Sequence, residues 1–166
     1  MAVELLPSNK FIIREAVQDD FDKILENEQA CYDVPWSLTS LKACFNKDYS
    51  FLVLEHQEIN IGHMIVQWVL DEAHLHNVCI IPQFQSKGLG KDWLTHLIGM
   101  ATQRSCRVIF LEVRQSNFKA IQLYTKLGFC QIGERRNYYQ TLQGKEHGLV
   151  MELRPLSGGI NSTSFD

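Results

Sequence analysis

Residues 78–98 read VCIIPQFQSKGLGKDWLTHLI, and the pattern changes twice along them. The stretch AHLHNVCII, residues 73–81, has the look of a strand, and Pro82 ends it because proline cannot donate to a ladder. From Leu89 onward, Leu89, Trp93, Leu94, Leu97, Ile98 and Ala101 recur at helical spacing. Between the two lie Gly88 and Gly90. A strand, a glycine turn and an amphipathic helix, in that order, put the backbone N–H groups of residues 86–90 at a helix N-terminus. That is an anion site, favoured by the helix dipole and by Lys87 and Lys91. Glycine matters there because a Cβ would hold the backbone away from a phosphate. On these residues alone, a plain helix entry with glycines for turn geometry fits equally well.

Two nucleotide-binding motifs do not match. The dinucleotide fingerprint needs a third glycine, and Trp93 stands there. The P-loop needs Ser or Thr after Gly-Lys, and Asp92 follows Gly90-Lys91.

Outward from this turn, the chain alternates strand and helix signals. KFIIREA (10–16) reads as a strand, and Asp19-Asp20 start a helix carrying Phe21, Ile24 and Leu25. VPWS (34–37) breaks it, and Ser37 can cap a short second helix. SFLVLEHQ and INIGHMIVQWVL are strands around a polar turn at Gln57-Glu58. RVIFLEV (107–113) is nearly continuous in apolar residues, as expected of a strand buried on both faces. SNFKAIQLYTKLGF follows as a helix, with Gly128 placed to end it in the left-handed region. Strands near FCQIGERRNYY and HGLVMELR complete the order β-α-α-β-β-β-α-β-α-β-β. This predicts an α/β (α+β) fold, a mixed sheet covered by helices, in one domain over residues 1–155. Residues 156–166 are small and polar and read as a mobile tail.

Composition narrows the function. The chain has 166 residues, 45% apolar, with a net charge of −3, so no global field draws it to nucleic acid or to a membrane surface. Its five cysteines are odd in number and form no C-x-x-C pair, which fits scattered thiols in a reducing compartment. The N-terminus has no basic start followed by an apolar run, and no stretch is long enough to span a bilayer. A cytoplasmic protein is expected.

Gln85-Ser86-Lys87-Gly88-Leu89-Gly90 matches Q/R-x-x-G-x-G/A. With the strand before it and SN-x-x-AIQLYTKLGF after it, the chain resembles the GCN5-related N-acetyltransferase (GNAT) family over nearly all of residues 10–154. VPWS, VLDEAHLHNV, LEVRQSN, AIQLYTKLGF and RRNYY resemble one bacterial branch of that family. Members of that branch acetylate the N-terminal amine of a small-subunit ribosomal protein. The resemblance implies a GNAT fold, acetyl-CoA as co-substrate and the N-terminal peptide of a ribosomal protein as acceptor. It implies that Val78, Cys79 and Ile80 hold the pantetheine arm, that Ser86, Lys87, Gly88, Leu89, Gly90 and Lys91 hold the pyrophosphate, and that Asn117 contacts the cofactor. It makes Glu112 the general base and Tyr124 the general acid.

The chemistry suits those residue types. An α-amine, with a pKa of roughly 7.7–8.0, is largely protonated at neutral pH and needs a base to take a proton. Glu112 closes an apolar strand, where burial favours a basic carboxylate; an ion pair with Arg114 or Lys126 is the other reading of the same position. The departing thiolate can be protonated by a phenol held near it, the role given to Tyr124, whose place on an apolar stripe also suits a core aromatic. Backbone N–H groups near Cys79 could meet the oxyanion. Cys79 itself lacks a partner base in sequence and is not expected to be a nucleophile. His74 and His76 share one face of a strand, but two ligands without a third do not make a zinc site, and no metal is expected. Acceptor contacts are expected from Pro35, Trp36, His76, Arg135, Arg136, Asn137, Tyr138 and Tyr139. Asp71 and Glu72 could attract a basic peptide. The alternatives are a lysine or small-molecule acceptor on the same fold, or a CoA-binding domain without turnover, in which Glu112 and Tyr124 would not share one site.

Overall fold

The computed structural model describes residues 4–5 and 11–155, so the expected C-terminal tail lies outside the described residues. The strands are β1 (Glu4–Leu5), β2 (Phe11–Glu15), β3 (Tyr49–His56), β4 (Ile59–Val69), β5 (Glu72–Ile80), β6 (Val108–Arg114), β7 (Cys130–Thr141) and β8 (Gly144–Leu153). The helices are α1 (Phe21–Cys31), α2 (Leu38–Ala43), α3 (Leu89–Gln103) and α4 (Phe118–Lys126), with 3-10 turns at Gln18–Asp20 and Pro82–Phe84. The sequence reading placed all of these strands and helices except β1.

All eight strands join in one sheet, ordered β1-β2-β3-β4-β5-β6-β8-β7. Every pairing is antiparallel except β5 with β6. That exception follows from connectivity, because α3 carries the chain between β5 and β6, whereas hairpins join β3–β4, β4–β5 and β7–β8. Gln57 and Glu58 take φ of 51° and 64°, the left-handed pair that closes a tight hairpin between β3 and β4.

Helices cover both faces of the sheet. In β3, Leu52 and Leu54 face one core while Phe51 and Val53 face the other, so FLVL is apolar at every position. The larger core packs Leu89, Trp93, Leu94, Leu97 and Ala101 of α3 against Met64, Val66, Leu75, Ile109 and Leu111. The smaller core packs Phe21 and Ile24 of α1 and Leu41 of α2 against Phe51, Val53 and Ile65. Ser37 caps α2 by accepting from the Ser40 N–H at 3.1 Å. β6 departs from the expectation of burial on both faces: its residues alternate between buried and half-buried, because only one face meets the core. Among the described residues no helix is long and apolar enough to cross a membrane.

Candidate active site

The cleft forms where the two parallel strands part. β5 and β6 pair only from Glu72–Leu75 with Val108–Leu111. At that point β5 carries a bulge: Val66 faces Leu75 and the adjacent Ile65 faces Asn77, so His76 is the extra residue. A bulge bends its strand and increases the local twist, which carries the end of β5 away from its neighbour. A cleft of about 770 Å³ lies there, walled by residues 75–80 and 111–114, the end of α1, the glycine turn and α4.

Beyond the bulge β5 has a free edge. The Ile81 N–H donates to the Ile61 carbonyl at 2.9 Å, so the backbones of Ile81 and Cys79 face β4. By alternation Val78 and Ile80 present their backbone groups to the cleft. Their carbonyls are engaged there: the Tyr32 hydroxyl donates to Val78 at 2.6 Å, and Gln85 Nε2 and Cys31 Sγ to Ile80 at 2.7 and 3.3 Å. Two N–H groups, two residues apart, can receive an extended amide-bearing ligand as an added strand would be received. Cys79 differs from its neighbours. Its backbone is committed to β4, and its buried thiol points to the Asn27 carbonyl at 3.4 Å.

The glycine turn opens α3. Ser86 and Gly88 take φ of 59° and 85°, and Gly88 is the N-cap. The N–H groups of residues 86–90 make no hydrogen bond among the described residues. The requirement for glycine differs at the two positions. At Gly88 a Cβ would meet open space and the conformation is what selects glycine; at Gly90 a Cβ would press on Leu123 of α4 at 3.1 Å. Ser86, Gly88, Gly90 and Lys91 line the cleft. Lys87 and Leu89 do not: the Lys87 ammonium sits 4.9 Å from the Phe84 ring centre, and the Leu89 side chain is buried in the core, so only their backbones serve the turn. Asn117 also lines the cleft, with its Oδ1 accepting from the Ala120 N–H at the start of α4. Lys119 and Lys126, on one helical face of α4, add two cations to the cleft; the sequence reading named Lys126 only as a partner for Glu112 and left out Lys119, though their seven-residue spacing was an available signal.

Glu112 of β6 and Tyr124 of α4 line the same cleft. The Glu112 side chain is 26% exposed and pairs with Arg135 Nε at 2.7 Å. Its partner is therefore neither Arg114 nor Lys126, since Arg114 is held by Glu146 at 2.9 Å, and Glu112 is less deeply buried than the apolar run suggested. Tyr124 is 6% exposed, packs edge-on to Phe129, and has its phenol pushed up by burial to about 12. Tyr139 lies within electrostatic reach of both, its phenol raised well above the ordinary value by burial first and by the Glu112 charge second.

On the acceptor side the cleft includes Trp36, His76 and Tyr139. The Trp36 N–H donates to Glu28 Oε1 at 2.9 Å, which fixes the loop after α1. His76 Nε2 sits 2.9 Å from Gln67 Oε1, and its pKa is lowered by burial first and by His74 next. His74 pairs instead with Glu72 at 2.9 Å, so the two histidines turn to different partners. Pro35, Arg136 and Tyr138 do not line the cleft. The pairing of β7 with β8 jumps from Arg135↔Gly148 to Tyr139↔Glu146, which bulges residues 136–138 outward. Arg136 is consequently 87% exposed on its side chain, and Tyr138 lies under the Arg135 guanidinium, within hydrogen-bonding reach of Glu112.

Residues 16–129 match the family model described as the acetyltransferase (GNAT) family. The chain is 40% identical over 143 residues to a protein of Haemophilus ducreyi named [ribosomal protein bS18]-alanine N-acetyltransferase, covering 86% of this chain and 99% of that one. Its fold superposes on the crystal structure of the Escherichia coli enzyme of that kind with a TM-score of 0.85 at 35% identity, over 91% of this chain and 97% of the other. A Salmonella typhimurium protein solved with acetyl-CoA shares the fold, with a TM-score of 0.73 at 22% identity over 88% of this chain and 94% of the other.

Proposed function

The chain belongs to the GNAT acetyltransferase family and is an acyltransferase, and from that premise we propose that it transfers the acetyl group of acetyl-CoA to the N-terminal α-amine of a protein, the alanine of ribosomal protein bS18. The names of relatives at about 40% identity support that acceptor. One observation carries the mechanism: Glu112 and Tyr124, from different elements, line one cleft together with the free edge of β5 and the glycine turn.

In this reading the pantetheine arm lies along Val78 and Ile80. The pyrophosphate meets the unsatisfied N–H groups of residues 86–90, with Lys91 and Asn117 alongside. Residues 1–155 act as a single catalytic unit. The amine nitrogen attacks the thioester carbon, and Glu112 takes the proton the nitrogen loses. The C–S bond then breaks, leaving an amide and a thiolate. Tyr124 faces that thiolate as a neutral phenol. A thiol has a pKa of roughly 8.5, so full transfer from a phenol near 12 is uphill. Tyr124 therefore acts chiefly by hydrogen-bonding the sulfur as charge develops. Trp36, His76 and Tyr139 shape the acceptor end.

The test pairs two peptides with acetyl-CoA and follows acetylated mass together with thiol release. One begins with free alanine and copies the bS18 terminus; the other is blocked at its terminus and carries an internal lysine. Acetylation of the first alone supports the reading, and acetylation of the second alone moves the acceptor to lysine.

A further inference from the structure

The wall of the cleft nearest α1 holds a group that acetyl transfer does not use. Glu28, His63 and Cys79 are buried, and their donor atoms lie within 4.8 Å of one another. His63 is wholly inaccessible, and neither ring nitrogen makes a hydrogen bond; Nε2 lies 3.0 Å from Glu28 Oε2 without hydrogen-bond geometry. Cys31 is half-buried and lines the cleft alongside Cys79, its thiol donating to the Ile80 carbonyl at 3.3 Å.

We propose that Glu28, His63 and Cys79, with Cys31 as fourth donor, bind a thiophilic divalent cation of the zinc class. Carboxylate, imidazole and two thiols make a four-donor set suited to tetrahedral zinc. Zinc bonds of about 2.0–2.3 Å place such donors roughly 3.3–3.8 Å apart, so the Glu28, His63 and Cys79 donors, within 4.8 Å of one another, have to contract, and the Cys31 thiol, outside that trio, has to swing in from the cleft edge. The outer shell is already built. Asn77 Nδ2 donates to both Glu28 oxygens at 3.1 Å and the Trp36 N–H to Oε1 at 2.9 Å. Those bonds use three of about four lone-pair sites and leave one on Oε2, facing His63. Cys31 supplies the entry path from the cleft. Binding releases the thiol protons. A cation here fixes the cleft wall beside Val78 and Ile80 and slows acyl transfer, a consequence that rests on the acetyl-CoA reading, whereas the binding does not.

The test titrates the full metal-free chain with Co²⁺, with no coenzyme present, and then displaces it with Zn²⁺ against a chromogenic chelator. The expected result is one equivalent per chain with a thiolate-to-cobalt charge-transfer band. His63→Gln and Cys79→Ser abolish the band, and Cys31→Ser weakens binding at least tenfold. Cys130→Ser, at an exposed position on β7, leaves it unchanged. Cooperative thermal melting without metal checks that each variant folds, and Cys31→Ser at the cleft edge decides the matter if the buried variants do not. The absence of a stoichiometric band, or a band indifferent to Cys31→Ser, overturns the proposal.

Discussion

Glu112 of β6 and Arg135 of β7 form a 2.7 Å ion pair at the mouth of the cleft, though β8 lies between their strands. Arg135 stands in register opposite Gly148 of β8, which has no side chain to block the crossing, and β7 bulges just after it. Arg135 holds the carboxylate in one orientation at the cleft. Glu112→Gln keeps the shape and removes the carboxylate to which we assign the role of base. Its kcat with an alanine-terminated peptide is expected to fall about 10²–10⁴-fold, the usual worth of a positioned general base. Acetyl-CoA affinity, measured by calorimetry, should stay within a few-fold.

Tyr124 makes a different prediction because burial raises its phenol to about 12. A group with a raised pKa keeps its proton up to that value, so Tyr124 stays neutral across the working range. The pH–rate profile should therefore show no alkaline loss attributable to it below about pH 11. Tyr124→Phe should lower kcat at least tenfold at every pH tested. It should leave the melting temperature nearly unchanged, since the hydroxyl has no hydrogen-bond partner among the described residues.

Gly88 tests the turn. At φ of 85° an alanine is strained by roughly 1–2 kcal/mol although nothing blocks its Cβ. Gly88→Ala should lower the melting temperature by a few degrees and raise the KM for acetyl-CoA. Gly90→Ala acts by contact instead, pushing Leu123 and with it α4. A KM unmoved by both substitutions would detach the turn from coenzyme binding.

Arg14 ties the first helix to the sheet. It donates to both Asp20 oxygens at 2.8 Å and to Glu55 at 2.9 Å. Burial pushes the Asp20 carboxyl up, but the Arg14 hydrogen bonds and the Val17 N–H outweigh it and hold the pKa below the usual value. A depressed folded pKa adds stability that is present above the unfolded value, roughly 3.9, and is lost as pH falls through the folded one. Asp20→Asn should destabilise the protein at pH 7 by roughly 1.5–3 kcal/mol, the range for hydrogen bonds to charged groups. It should also flatten the acid limb of a denaturation series. An unchanged acid limb would contradict this.

The sequence revealed most where local chemistry decides structure. Ser37 as a cap, Gln57-Glu58 as a turn, Pro82 as a strand end and Gly128 in the left-handed region, at φ of 97°, are all properties of single residues. The glycine turn was legible for the same reason. Partnerships across the sheet were not. Arg135 meets Glu112 across β8, and although Asn137, at φ of 51°, hints at the bulge that follows, nothing local pairs the two side chains. Glu28 was not singled out, since its burial depends on His63 and Asn77 arriving from β4 and β5. Lys119 and Lys126 shared a visible helical face, but the cleft it borders exists only because β5 and β6 part.

The most direct measurement incubates the protein with acetyl-CoA and intact, alanine-initiated bS18, then maps the added acetyl by fragmentation mass spectrometry. A single acetyl on the α-amine of the first residue, absent with Glu112→Gln, is the predicted result. Acetylation confined to lysine side chains, or α-amine acetylation unaffected by Glu112→Gln, would contradict it.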